Sequence, residues 1–121
     1  MSVTDSIKRS SLELVLLSLL DGEDMYGYQL CQAIESRSGG LYILQESSMY
    51  PILYRLEDKG LISCHKETVG KRRVRVYYHL EPSGRTHLAD VQREYLSLNR
   101  GILRILNIPC LDAGKGGESD G

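Results

Sequence analysis

The sequence contains no tryptophan and no phenylalanine, so its eight tyrosines are the whole aromatic set. Its three cysteines, Cys31, Cys64 and Cys110, share no C-x-x-C spacing. Neither a disulfide framework nor a zinc site is therefore predicted. No apolar run approaches the ~18 residues that a membrane span needs, and Glu13 interrupts the run that could resemble a signal peptide. We expect a protein of the reducing cytoplasm that needs no cofactor and no metal and does not enter a membrane.

Net charge is also nearly absent, because 15 Lys and Arg face 16 Asp and Glu. This balance predicts no general attraction to nucleic acid, so such a role would need a local cluster. The segment KRRVR, residues 71–75, is such a cluster, with four positive charges in five positions. No Ser, His and acid set stands at a recognisable spacing, and no glycine-rich loop enters a helix to hold phosphate. An enzyme is not expected.

Three helices are predicted before any long strand. Ser10 and Glu13 fit a capping box, which predicts a first helix from there to about Leu20. MYGYQLCQAIESRSGG predicts a second helix with Tyr28, Cys31 and Ile34 on its buried face. The segment LYIL, residues 41–44, is too short for a helix and predicts an isolated strand.

The third helix is predicted from SSMYPILYRLEDKG, residues 47–60, which Gly60 ends. Its buried face comes from apolar residues at i, i+3, i+4 and i+7, namely Met49, Ile52, Leu53 and Leu56. Its polar residues then lie on the outer face and its flanks: Ser47, Ser48, Tyr50, Tyr54 and Arg55. Ser47 or Ser48 as the N-cap would place Pro51 in the first turn, where its missing amide costs little.

A β-hairpin and a long helix complete the chain. LISCHK and RVRVYYHL flank ETVGKR, and the second run alternates apolar and polar residues, as a half-buried strand does. The last helix is predicted from Pro82 to about Asn107. It would be about 39 Å long, more than a core of this size covers, so its apolar seam predicts a second chain. That seam is Leu88, Val91, Tyr95, Leu98, Ile102 and Ile105.

The order of these elements predicts an α+β, mainly helical fold: a winged helix-turn-helix with a long C-terminal dimerisation helix. Residues 1–81 would be the DNA-binding domain, 82–108 the dimerisation helix and 109–121 a disordered tail. The third helix would enter the major groove, where hydroxyls and Arg55 bind phosphates or base edges. Lys71, Arg72, Arg73 and Arg75 would bind phosphate. The alternatives are ordinary capping and surface for the helix, and a solvated charged turn for the hairpin.

Three stretches together resemble the PadR family of transcription regulators, of the short kind with one C-terminal helix. They are LELVLLSLLDGEDMYGYQL, SSMYPILYRLEDKGLI and GKRRVRVYYHLEPSGR, within about residues 8–90. The family's usual GTLYPALxRLE is here SSMYPILYRLE, so Ser47 replaces a glycine and Met49 a leucine. The resemblance implies a homodimeric repressor that binds a palindromic operator and is released by a small molecule or a stress signal.

The resemblance also implies site residues. Tyr26, Ser48, Tyr50, Arg72 and Arg73 match DNA-facing positions, and Lys8 and Arg9 are placed where they could reach phosphate. Some short relatives bind flat aromatic compounds between the long helices through tryptophans, which this chain lacks. Ile7, Leu98 and Ile102 would line a comparable hollow for a small hydrophobic effector, and the alternative is a packed core. A second function class stays open, namely a winged-helix module that binds protein partners without specific DNA binding.

Overall fold

The structure is a computed structural model that describes residues 3–109, without the side chains of residues 3–6 and Arg9. Its elements, in chain order, are helix α1 (Val3–Gly22), strand β1 (Met25–Tyr26), helices α2 (Gly27–Arg37) and α3 (Glu46–Asp58), strands β2 (Ile62–Val69) and β3 (Arg73–Leu80), and helix α4 (Pro82–Leu106). The strands form one antiparallel sheet in the order β1-β3-β2. This arrangement confirms the predicted winged helix-turn-helix.

One hydrophobic core joins the three helices to the inner face of the sheet. α1 contributes a run of leucines that includes Leu16 and Leu17, and α2 contributes Leu30 and Ile34. The predicted face of α3 is buried as expected, with Met49, Ile52, Leu53 and Leu56 at 9% exposure or less. Burial on this scale is the main stabilising contribution in a domain of this size.

The predicted start of the first helix was wrong, because α1 begins at Val3. Ser10 and Ser11 lie inside the helix and do not cap it. The Ser10 hydroxyl donates to the carbonyl of Ile7 at 2.9 Å, and the Ser11 hydroxyl donates to the same carbonyl at 3.0 Å. Serine forms such bonds within a helix as readily as it caps one, so the sequence pattern alone was ambiguous.

Two predictions around α2 were also wrong. Tyr28 does not lie on the buried face but is exposed, and its hydroxyl accepts a hydrogen bond from Gln32 at 2.9 Å. The segment LYIL forms no strand. Its Tyr42 hydroxyl instead donates to the carbonyl of Lys8 at 2.9 Å, which fastens the α2–α3 loop to α1. The strand near this helix is β1, which pairs with β3 through Met25 and Tyr26.

Gly60 ends α3, as predicted. Its φ of +76° is in the left-handed region that favours glycine. The amide of Gly60 donates to the carbonyl of Glu57, and the amide of Leu61 donates to the carbonyl of Leu56. This is a Schellman motif, and it directs the chain into β2. The hairpin follows with Ile62 opposite Leu80 and Val69 opposite Arg73.

The first turns of α4 pack closely on the start of β2. A Cβ at Gly84 would lie 2.1 Å from the carbonyl oxygen of Leu61 and 2.6 Å from a methyl carbon of Leu80. The Ser83 hydroxyl donates to the carbonyl of Gly60 at 2.7 Å. An ion pair between Arg85 and Asp21 and a hydrogen-bond contact between His87 and Glu13 join α4 to α1. The start of α4 is therefore part of the winged-helix core.

The chain divides into two compact units inside α4, between Ala89 and Asp90. The predicted boundary at residue 82 lies earlier in the chain. The roles predicted for the two parts, DNA binding and dimerisation, stay predictions. Cys110 and the rest of the predicted tail, up to residue 121, lie outside the described residues. No helix in the described part of the chain is both long enough and apolar enough to span a membrane. Residues 3–109 also contain no group of three His, Cys, Asp or Glu side chains that could hold a metal ion.

Candidate nucleic-acid interface

The outer face of α3 is polar and open to solvent. Ser47, Ser48, Tyr54 and Arg55 are all exposed. The predicted role of a serine as N-cap was wrong, because the N-cap is Gln45 and it makes no side-chain cap bond. Neither serine hydroxyl is therefore committed to capping the helix. Polar side chains that point outward from one helix are the groups that contact base edges and phosphates in this fold.

The earlier N-cap places Pro51 in the second turn of α3 and not in the first. Proline has no backbone amide, so the carbonyl of Ser47 receives no hydrogen bond from the residue four positions on. Proline inside a helix is costly, and here it lies on the exposed face. The first turn of α3 therefore contains a backbone carbonyl that lacks its i+4 donor, beside the serine hydroxyls.

Tyr50 differs from the other residues of this face because it is half-buried and already bonded. Its hydroxyl donates to the Glu46 carboxylate at 2.8 Å, and its ring stacks on that of Tyr54 with centroids 6.1 Å apart. Burial, followed by the hydrogen bond to Glu46, raises the pKa of Tyr50 well above its ordinary value. The phenol therefore stays protonated and keeps this bond at any physiological pH.

The hairpin tip carries the basic cluster. Gly70, with φ of +66°, opens the turn, and Lys71, Arg72 and Arg73 are all exposed. No ion pair among the described residues includes these three cations. Three cations without a carboxylate partner are suited to phosphate.

The fourth cation of the cluster, Arg75, lies on the outer face of the sheet within an aromatic group. Its guanidinium stands 4.3 Å from the centroid of the Tyr26 ring, a cation–π distance. Tyr26 in turn meets Tyr77 edge to face at 5.3 Å, and His65 stacks on the other side of Tyr77 at 5.7 Å. The register explains this row, because Tyr26 and His65 both lie opposite Tyr77.

The two basic residues near the N-terminus have different outcomes. Lys8 lies inside α1, and its amino group donates to the carbonyl of Ile43 in the α2–α3 loop. The predicted phosphate contact of Lys8 thus competes with a bond to its own chain. The side chain of Arg9 lies outside the described residues, so its contact stays a prediction.

From Asp90 to Leu106 the second unit is helical, and it exposes apolar side chains along this length. The exposed fraction is 40% for Tyr95, 68% for Leu98, 44% for Ile102 and 83% for Ile105. Leu88, the first residue of the predicted seam, is buried in the core of its own chain. Val91 is only partly exposed, so the exposed part of the seam begins at Tyr95.

The effector site stays a prediction. Ile7 belongs to the first unit and is 60% exposed, whereas Leu98 and Ile102 belong to the second. Nothing in either unit by itself supports or contradicts a hollow between them.

Some residues of this interface were not identified from the sequence. Glu46, Tyr77 and His65 are the clearest cases. The spacing of Glu46 and Tyr50, four residues apart on one helix, was a usable signal for their contact. The alternation of β3 placed Tyr77 on the polar face beside Arg75. Their contact with Tyr26 depends on the pairing of β1 with β3, which no local pattern revealed.

Comparison with known proteins identifies the family to which this chain belongs. The Transcriptional regulator PadR-like family matches residues 16–90. A transcriptional regulator from Mycobacterium tuberculosis is 32% identical over 96 residues, which is 79% of this chain and 86% of that protein.

Solved structures also match. A transcriptional regulator from Clostridium thermocellum has a TM-score of 0.75 at 27% identity, over 82% of this chain and 96% of that one. The PadR protein of Bacillus subtilis, solved in complex with operator DNA, has a TM-score of 0.63 at 27% identity. That match covers 67% of this chain and 46% of the Bacillus chain.

Proposed function

Because the chain belongs to the PadR-like family of transcriptional regulators, we propose that it is a homodimeric repressor that binds a palindromic operator in double-stranded DNA. One observation carries the proposal. The winged-helix unit exposes the polar face of α3, whose serine hydroxyls do not cap the helix. It also exposes three cations without carboxylate partners at the hairpin tip. In this fold such a helix enters the major groove and such a hairpin lies along the backbone. The similar Bacillus subtilis protein was solved with operator DNA, which supports the same role here.

The homodimer is supported by the exposed apolar stripe of α4. Leu98 and Ile105 are among the most exposed large apolar residues of the chain. They belong to a seam with alternating spacings of three and four residues, which is the pattern of helices that pair. A second copy of α4 would cover this stripe and give the DNA-binding surface two-fold symmetry. The two recognition helices would then meet half-sites one DNA turn, about 34 Å, apart.

Release of the operator would follow a signal that changes the dimer. A small hydrophobic molecule near Ile7, Leu98 and Ile102 is the effector that the proposal includes. The proposal places the protein in the cytoplasm, with DNA as its partner.

The test is binding of the purified protein to a duplex from its own upstream region, measured by fluorescence anisotropy at several salt concentrations. We expect binding that is tighter than to random DNA by a factor of about 10³ or more. The logarithm of affinity should fall linearly with the logarithm of salt concentration, because bound cations release counterions.

Two outcomes would contradict the proposal in different ways. Equal, salt-dependent binding to every duplex, including a library of genomic fragments, would remove sequence specificity. Absence of any salt-dependent binding would favour the alternative, a winged helix that binds protein partners.

A further inference from the structure

The first turn of α3 contains one acidic side chain, Glu46, which is exposed beside Ser47 and Ser48. It accepts a hydrogen bond from the Tyr50 hydroxyl at 2.8 Å. The pair lies against the first residue of α2: a Cβ at Gly27 would be 2.3 Å from the Tyr50 hydroxyl oxygen and 2.8 Å from Oε2 of Glu46. The Glu46 carboxylate and the Tyr50 hydroxyl fit here because Gly27 has no side chain.

The hydrogen-bonding capacity of this pair is one-sided. A phenol has one proton to donate, and here Glu46 receives it. An ionised carboxylate has only acceptor sites. Whatever approaches the pair from outside therefore meets acceptors alone, together with one negative charge.

DNA offers few groups that fit such a surface. Phosphate oxygens are acceptors and negatively charged, so they are repelled. In the major groove, guanine N7 and O6 and thymine O4 are acceptors as well. The donors are the amino groups of adenine N6 and cytosine N4.

We propose that Glu46, positioned by Tyr50, recognises the exocyclic amino group of an adenine or a cytosine in each operator half-site. The inference rests on the proposed function, because it assumes that α3 enters the major groove. It assigns Glu46 to base selection, and Tyr50 to a positioning role in place of the direct DNA contact predicted for it.

A purely structural role for Glu46 makes a different prediction. A carboxylate in the first turn of a helix is favourable through the helix dipole. In that case substitution would change stability without changing which bases the protein prefers. The preferred sequence is therefore the readout that separates the two roles.

The test is selection of binding sites from a pool of randomised duplexes, with sequencing, for the wild-type protein and for Glu46→Met. Methionine is close to glutamate in size but has no carboxylate or amide oxygen that could accept from an amino group, and the exposed position tolerates it, which thermal melting checks. We expect the wild type to prefer one base pair at one position of each half-site, through the adenine or cytosine of that pair. Glu46→Met should lower that preference at least about fivefold, the size of a typical single-base penalty. Its affinity for random duplex should rise, because a charge that repels phosphate is gone.

Two controls sharpen the result. Tyr50→Phe keeps the carboxylate but removes its anchor, so the same base should be preferred less strongly. Removal of the amino group from the selected base, by purine in place of adenine or 2-pyrimidinone in place of cytosine, should weaken the wild type about fivefold and leave Glu46→Met nearly unchanged.

The outcomes are distinguishable. An unchanged preference at every position in Glu46→Met would overturn the inference and leave the proposed function intact. Equal binding of the wild type to operators with and without the selected amino group would also overturn it. A wild-type protein that selects no sequence at all would overturn both.

Discussion

Helix α3 and the hairpin tip differ in the charge of their exposed side chains. From Glu46 to Arg55, α3 contains one negative and one positive charge, and its other exposed groups are hydroxyls and a proline. From Lys71 to Arg73 every residue is positive and exposed. Phosphate contacts supply affinity that does not depend on sequence, and base contacts supply discrimination. Under the proposed function, the hairpin would supply affinity for DNA and the helix would supply the discrimination between sequences.

The largest effect is expected when the dimer is broken, because one copy of α3 and one hairpin would then contact each operator instead of two. Leu98→Asp with Ile102→Asp puts two charges on the exposed seam of α4, where a second helix would have to bury them. We expect a monomer in sedimentation and operator affinity lower by about 10³ or more, close to that for random DNA.

The matched control for this variant is Gln92→Asp with Ser97→Asp, which adds the same charge at exposed polar positions of the helix. It should remain dimeric. A Leu98, Ile102 variant that also remained dimeric would show that the seam lies elsewhere.

The next effect isolates the hairpin. Arg72→Ala with Arg73→Ala should weaken binding to operator and random DNA alike, by roughly ten- to thirtyfold near physiological salt. The slope of log affinity against log salt should fall by about two, one for each lost phosphate contact.

Arg93→Ala with Arg104→Ala removes two exposed cations from α4 and serves as the control for the hairpin variant. An equal slope in both variants would mean that net charge, and not the hairpin, determines binding.

The helix is isolated by Arg55→Ala and Arg55→Lys. Lysine keeps the charge but not the paired donors that arginine offers to guanine. If Arg55 recognises a base, both variants should lose about 1 to 3 kcal/mol of discrimination between operator and random DNA. Competition binding measures that ratio. A normal ratio in Arg55→Lys would reassign Arg55 to phosphate and reduce the contrast between the two regions.

The smallest effect concerns the aromatic group around Arg75 on the outer face of the sheet. Tyr26→Leu removes the ring that lies 4.3 Å from the Arg75 guanidinium and should weaken DNA binding about two- to fivefold, the range of an exposed cation–π contact. Tyr26→Phe keeps the ring and should bind nearly normally.

A double-mutant cycle with Arg75→Ala tests whether Tyr26 acts through Arg75. Tyr26→Leu should then add nothing to the effect of Arg75→Ala. Additive losses would instead indicate a direct contact of Tyr26 with DNA.

The sequence predicted those parts of the fold whose signal is periodic. The spacing of Met49, Ile52, Leu53 and Leu56 identified the buried face of α3, and Gly60 its end. Alternation along β3 correctly identified Tyr78 and Leu80 as buried but was wrong for Val74, which is 59% exposed. Pro82 marked the start of α4. The correct predictions rest on local patterns that determine a buried face or a helix boundary.

The errors have physical causes that a local pattern does not contain. The hydroxyls of Ser10 and Ser11 bond backward within α1, so residues typical of a cap occur inside a helix. Tyr28 is held outward by Gln32. β1 has two residues, too few for any periodicity, and exists because β3 pairs with it.

The same limit applied to the interface. The positions of the exposed side chains of α3 and the hairpin followed from periodicity. Their partners did not, since the Tyr26 contact with Arg75 joins residues far apart in the chain.

The tight junction at Gly84 has a consequence for how this sequence can vary over evolution. A side chain there would collide with the backbone oxygen of Leu61, which cannot move aside as a flexible side chain could. At Gly22 and Gly101, by contrast, a Cβ would meet no atom within 4 Å beyond the glycine's own stretch of helix. In a library of all substitutions, position 84 should therefore accept glycine alone, while positions 22 and 101 accept many residues. Descendants of this protein can change the exposed residues of α3 and the hairpin, but they inherit the attachment of α4 to the core unchanged.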